Sequence, residues 1–279
     1  MNRFEPRIEV AISRTRADVA RLHKLLVRGG LVSWTSGVLS GRVPGAELFV
    51  IKPSGLEHSE LSPEKMVLVD LDGRVVVGTP GSEYGASRGV AVHARLYRED
   101  PAIGGIAHTH SPYATAFALR GEPVPCLSTV VADEFGGPVP VVAYAGPDDE
   151  IGGAIAATLA GQRSRAVLLE RHGAYATGGS PRDAVRSAVL LEDAARTVQL
   201  ARLGLPDGDT IEPLAADIID ALHERRLRAD AERVVELASA GSFPTSRPGI
   251  ARSSGETGSW TTPGSNSTTP DNDVRTMTQ

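Results

Sequence analysis

His108 and His110 stand two residues apart in Gly105-Ile106-Ala107-His108-Thr109-His110-Ser111-Pro112. The apolar run that leads into them, Ala102 to Ala107, follows Asp100-Pro101 and reads as a buried strand. Side chains at i and i+2 of a strand share a face, so both imidazoles can reach one point. Two neutral imidazoles on one point suit a divalent transition metal. The same spacing also occurs on a polar strand edge.

A third imidazole is available. Ala166-Val167-Leu168-Leu169, within 165–170, reads as a second buried strand running into Arg171-His172-Gly173. His172 would sit at a strand end, before a glycine where the backbone can turn sharply. Three imidazoles from two strand ends leave a coordination position open, the pattern of a catalytic zinc site. The alternative for His172 is a strand-end histidine bonded to a loop carbonyl. Elsewhere, Lys52-Pro53-Ser54-Gly55 could cradle an anion with one cation, one hydroxyl and an exposed N–H, or be an ordinary surface turn. Cys126 follows Pro125 in an apolar stretch and reads as buried filler.

The elements that would position these residues are predicted as follows. Residues 9–28 have helical spacing, with Val10, Val19, Leu22, Leu25 and Leu26 on one stripe and Gly29-Gly30 as a C-cap. Residues 31–42 alternate small polar and apolar groups, as a strand or hydroxyl-rich loop. A strand over 47–52 leads to the lysine turn. Ser62-Pro63 opens a helix. Residues 66–77 form two strands around Asp72-Gly73. Residues 79–89 are a loop. Helices are expected over 90–98 (carrying His93), 113–119 and 148–159, and strands over 127–132 and 139–144. Ser180-Pro181-Arg182-Asp183 has the form of a capped helix start. That helix runs to about Leu203 with Val185, Ala188, Val189, Ala195 and Val198 along one side. Residues 211–240 are helical and more charged. Residues 241–279 are rich in Ser, Thr, Pro, Gly and Asn and are expected to be disordered.

Composition narrows the class. A chain of 279 residues with 41% hydrophobic residues can bury a sizeable core. The net charge of −5 and the lack of a basic block argue against nucleic acid. A single cysteine rules out a disulfide framework and fits a reducing compartment. No stretch approaches a membrane span, and the N-terminus has no apolar leader. A cytoplasmic protein is expected.

Five segments occur together in order: Thr35-Ser36-Gly37 with Ser40, Lys52-Pro53-Ser54-Gly55, Gly104 to Ser111, Ala132 to Gly137, and His172-Gly173. In this the chain resembles the class II aldolase/adducin family, nearest to L-ribulose-5-phosphate 4-epimerases and L-fuculose-phosphate aldolases. The likeness covers about Asp18 to Leu203. It implies an α/β fold, a three-layer α/β/α sandwich around a mostly antiparallel central sheet, over residues 1–240. It implies a homotetramer with metal sites near the subunit interfaces. It makes His108, His110 and His172 the metal ligands, with zinc the first choice and iron or manganese also suitable. It places Ser36, Gly37, Lys52, Ser54 and Gly55 at the phosphate end of a small-molecule substrate, and Asp133 as acid/base. The implied reaction is retro-aldol C–C cleavage through an enediolate, ending in epimerisation or in lyase products.

The sequence also departs from that family. Val38 stands where an asparagine is usual. The residue four before His93 is Gly89, where the family carries a carboxylate; Glu83 could replace it only if the intervening loop folds back. The tyrosine expected near Asp230 is missing, and none follows Tyr175. A same-fold aldolase, decarboxylase or non-heme-iron oxygenase acting on an α-hydroxy or α-keto acid is the alternative. An adducin-like scaffold is a further one, disfavoured by the three histidines.

Overall fold

The computed structural model describes residues 4–144, 146–206 and 209–239. The expected disordered segment 241–279 lies outside them. In chain order the helices are α1 (Pro6–Arg28), α2 (Val90–Glu99), α3 (Pro112–Arg120), α4 (Thr129–Phe135), α5 (Asp148–Ala160), α6 (Pro181–Leu203) and α7 (Ala216–Ser239). The strands are β1 (Val38–Arg42), β2 (Leu48–Ile51), β3 (Val67–Asp70), β4 (Gly105–Thr109), β5 (Val141–Val142), β6 (Ala166–Leu169) and β7 (Gly173–Gly178).

The strands form one sheet in the order β3-β2-β1-β4-β7-β6-β5. It is mixed. The pairings from β3 through β6 are antiparallel, and β5 joins β6 in parallel. Strand alternation sorts the apolar residues into two cores. Leu39, Val50, Leu68, Ala107 and Leu168 pack under α1, α3, α4 and α6. Phe49, Ile51, Val69, Ile106 and Val167 pack under α2 and α5. Helices therefore cover both faces.

Register brings one set of ends together. Val38 at the start of β1 faces His108 near the end of β4. Thr109 faces Ala174 at the start of β7. Leu169, ending β6, faces Gly173 and also Val142, ending β5. Ser40 faces Ile51, which ends β2. The segments 33–37, 52–55, 109–111, 143–144 and 170–172 thus emerge at the same edge of the sheet.

Several expectations are corrected. Residues 127–132 are not a strand. Ser128 caps α4 by accepting from the Val131 N–H, and Gly136 ends it in the left-handed region at φ +63°, so the caps override the β-branched pair Val130-Val131. Asp133 and Glu134 therefore lie on a helix, not in a strand-end loop. On α1 the buried stripe is Ile12, Thr15, Val19, Leu22 and Leu26, while Val10 and Leu25 are exposed. Val189 of α6 is likewise exposed. The second arm of the 66–77 hairpin reduces to a bridge between Val69 and Val75.

Strand β7 was not foreseen. Its sequence, Gly-Ala-Tyr-Ala-Thr-Gly, is small because α6 begins on top of it. A Cβ on Gly178 would come within 2.5 Å of the Asp183 Cβ, and one on Gly105 of β4 within 2.4 Å of the Pro181 backbone. The capped start of α6 itself is as expected: the Ser180 hydroxyl donates to the Asp183 carboxylate (2.7 Å) and accepts from its N–H. No described helix is long and apolar enough to cross a membrane.

Candidate metal centre

His108 is on β4, His110 just beyond it, and His172 in the β6–β7 turn. One ring nitrogen from each lies within 4.8 Å of the others. The Nε2 atoms of His108 and His172 are 3.2 Å apart, and those of His110 and His172 are 3.5 Å apart. The His108 ring is stacked between Tyr175 (4.2 Å) and His172 (5.0 Å). Its Nδ1 lies 3.0 Å from the Ala174 carbonyl oxygen. A carbonyl only accepts, so Nδ1 carries the proton and Nε2 presents its lone pair.

Burial lowers the pKa of all three. The neighbouring imidazoles add to this at His108, which lies well below its ordinary value, and His172 adds to it at His110. At His172 the Asp148 carboxylate works in the opposite direction. Tetrahedral zinc with Zn–N bonds of about 2.0–2.1 Å requires N···N separations of roughly 3.3–3.4 Å. The two observed distances bracket that range. These three side chains could hold a divalent metal. Among the described residues no carboxylate joins them. Glu83 is exposed on a short turn over 82–84 and acts electrostatically on Arg16 of α1. Gly89 is the N-cap of α2, with open space where a Cβ would be.

The turn at His172 works differently from expectation. Arg171 takes the left-handed conformation, at φ +58°. Gly173 is needed for closeness instead, since a Cβ there would lie 2.4 Å from the Thr109 carbonyl oxygen. On the other side of the pair, Glu192 of α6 accepts from the Tyr113 and Ala114 N–H groups at 3.0 and 2.9 Å. It caps α3 and fixes the chain just after His110.

The segment 33–37 is held from below. Lys52 is buried and its ammonium donates to the carbonyls of Thr35 (3.0 Å) and Pro53 (3.4 Å); burial lowers its pKa. His58 Nε2 donates to the Ser36 carbonyl. Trp34, at φ +50° and exposed, donates from its indole to Glu57. Gly37 has φ +78°, and a Cβ there would overlap Val32. The Ser36 hydroxyl donates to Ser33. Val38 points into the apolar core. The lysine expected to face a ligand thus props the loop, while Ser54 and Gly55 form an exposed turn with open space above Gly55.

Asp133 is half-buried on α4. Its carboxylate pairs with Arg225 of α7 at 3.7 Å, and its carbonyl accepts from His223. No contact among the described residues joins it to the three histidines. Tyr144, which sequence reasoning missed, is exposed with its ring 5.6 Å from that of His172. It follows β5, a strand of two residues, and little in the sequence ties it to His172. Tyr175, also missed, lies in the unforeseen β7.

The family model for the class II aldolase and adducin N-terminal domain matches residues 17–199. The solved structure of an L-fuculose 1-phosphate aldolase is 28% identical with a TM-score of 0.68, covering 76% of this chain and 95% of that one. YgbL from Klebsiella pneumoniae, a proposed aldolase/epimerase/decarboxylase, is 31% identical with a TM-score of 0.61, covering 76% and 98%. Its Escherichia coli counterpart is 27% identical with a TM-score of 0.64, covering 76% and 99%.

Proposed function

From this chain's membership of the class II aldolase and adducin family, we propose that it is a metal-dependent lyase that cleaves a small hydroxy-carbonyl compound by a retro-aldol step. The supporting observation is the convergence of three neutral imidazole nitrogens at 3.2 and 3.5 Å. A divalent metal there, zinc first and iron or manganese as substitutes, supplies Lewis acidity for the charge left on the carbonyl oxygen when the C–C bond breaks. His108, His110 and His172 are its ligands.

The chain's own groups do the rest. Tyr144, whose ring lies beside that of His172, would as phenolate take the proton of the hydroxyl on the carbon that leaves as aldehyde and as phenol return it to the carbon freed by the cleavage. The loop 33–37, pinned by Lys52 and His58, and the turn Ser54-Gly55 receive the anionic end of the substrate through N–H and hydroxyl groups. Lys52 itself is occupied beneath the loop, which favours a carboxylate or a singly held phosphate over a deeply enclosed one. Cleavage needs one proton carrier beside the centre, whereas epimerisation needs one on each face of the aldehyde. Among the described residues the Tyr144 ring lies beside that of His172 and the Asp148 carboxylate also acts on His172; the likeness to an L-fuculose 1-phosphate aldolase ranks cleavage above the L-ribulose-5-phosphate epimerase reading. Epimerisation would need Asp133 brought to the centre, or a carrier from a neighbouring subunit of a homotetramer.

The test is an assay of zinc-loaded protein with L-fuculose 1-phosphate and L-ribulose 5-phosphate, following aldehyde release and epimer formation. Aldehyde release that survives Asp133→Asn supports the lyase. Epimer formation abolished by Asp133→Asn supports the second reading. Neither product, with stoichiometric metal bound, overturns both and directs the search to α-hydroxy and α-keto acids.

A further inference from the structure

His93 of α2 is fully buried, and its Nε2 has no hydrogen-bond partner. Its Nδ1 lies 2.7 Å from the Ser40 hydroxyl of β1, which lies 2.8 Å from the Tyr97 hydroxyl, one turn further along α2. The order that leaves fewest groups unmet runs from Tyr97 to Ser40 to His93. Each hydroxyl then donates to the next group, and only the Nε2–H is left over. A buried N–H without an acceptor costs stability and calls for a reason. Burial also keeps the ring neutral, with its pKa lowered to about 3, so it acts on its surroundings by shape and not by charge.

Its aromatic neighbour is Tyr175. The two rings meet at 6.2 Å and 64°, within the range of edge-to-face pairs. Tyr175 in turn lies nearly parallel to His108, at 4.2 Å and 17°, and is its opposite partner in the β4–β7 register. On the β1 side, Ser40 shares a strand face with Val38, which faces His108. A chain of contacts therefore runs from α2 to the first histidine of the centre. The bond to the Ala174 carbonyl settles the His108 tautomer but leaves the ring free to rock about that bond. Stacking on a fixed Tyr175 removes this freedom.

We infer that Ser40 and His93 are positioning residues for the metal centre: by fixing the His93 ring against Tyr175 they hold the His108 imidazole in the orientation that a metal requires. This rests on the reading of His108, His110 and His172 as metal ligands. Groups that orient a ligand from behind are worth about 10–100-fold in metal affinity.

The test measures zinc affinity of the full-length protein by competition with a chromophoric chelator, the visible absorption of cobalt(II) bound in place of zinc, and thermal unfolding without metal. Ser40→Ala and His93→Leu should each weaken zinc at least about tenfold and shift the cobalt bands. Val69→Ala is the control, a truncation in the same apolar core but on β3 at the far edge of the sheet. It should lower the melting temperature and leave zinc affinity and cobalt bands unchanged, because both report the folded molecules. Ser40→Ala, the milder change, decides the matter if His93→Leu does not fold. Parent-like zinc affinity and cobalt bands in Ser40→Ala would overturn the inference while the metal reading stands, as would an equal loss of affinity in Val69→Ala. A parent protein that binds neither ion would overturn the metal reading and this inference with it.

Discussion

His108 gives its Nδ1 proton to the Ala174 carbonyl across the β4–β7 pairing. That bond fits the side chain to serve as a ligand, because it settles which nitrogen is bare. His172 then meets that nitrogen at 3.2 Å, close enough for its own Nε2–H to donate there, or for a cation to be held between the two once both nitrogens are bare.

Replacing His110 by Ala should therefore release the metal and abolish turnover while the fold persists, since His110 lies outside the strand and is exposed. Metal analysis and circular dichroism of the purified variant provide the check. Retained metal with full turnover would refute the ligand assignment.

Acid should weaken the fold through a different histidine. His23 is buried, its Nδ1 donating to the Val19 carbonyl and its Nε2 accepting from the Leu39 N–H. Burial lowers its pKa from 6.5 to about 3. Below pH 6.5 the unfolded chain takes up a proton that the native one refuses until about 3. Stability is thus complete above 6.5 and falls as pH drops toward 3, by up to about 1.4 kcal/mol per pH unit from this residue. His93, also near 3 from burial, adds in the same direction. Urea midpoints at neutral pH and about two units lower should differ clearly; equal midpoints would contradict the burial of these rings.

Gly173→Ala should cost about 1–3 kcal/mol and weaken metal binding, because the new Cβ would strike the Thr109 carbonyl oxygen and the His110 ring at 2.4 and 2.8 Å. Thermal unfolding with and without added zinc separates the two effects. A variant as stable and as metal-loaded as the parent would show that the turn can yield.

Much of this was legible beforehand, and the exceptions have physical causes. The i, i+2 histidines, the buried strands around them and the Ser180 cap are local patterns, and they stand as read. Strand β7 was hidden because close helix packing selects glycine and alanine over the β-branched residues by which strands are recognised. Helix α4 was mistaken for a strand because Val130-Val131 spoke louder than the Ser128 and Gly136 caps. Tyr144 comes beside His172, and Glu192 to the start of α3, only through strand order and helix packing, over sequence separations that no spacing rule spans.

Lys52→Met should lower stability by about 1–3 kcal/mol, since the Thr35 carbonyl loses the ammonium beneath it. If loop 33–37 receives the substrate, KM should rise more than kcat falls. Steady-state kinetics beside a denaturation curve would decide; a fall in kcat alone would mean that the lysine acts on the reacting atoms.

Tyr144→Phe should leave metal content unchanged and lower kcat by about a hundredfold or more, the usual worth of a positioned proton carrier. Its exposure makes an effect on folding small. Unchanged kcat would remove the phenol from the reaction and return attention to Asp133.

The alternation of side chains along β4 makes the three nitrogens a test of how the sheet was assembled. A slip of one residue against β1 or β7 would turn Ala107 and Thr109 toward the face that His108 now occupies, and no cation could be held there. If the three imidazoles hold a divalent ion, ions present while the chain folds would draw molecules out of misaligned states by mass action, and metal content would then follow the correctness of pairing.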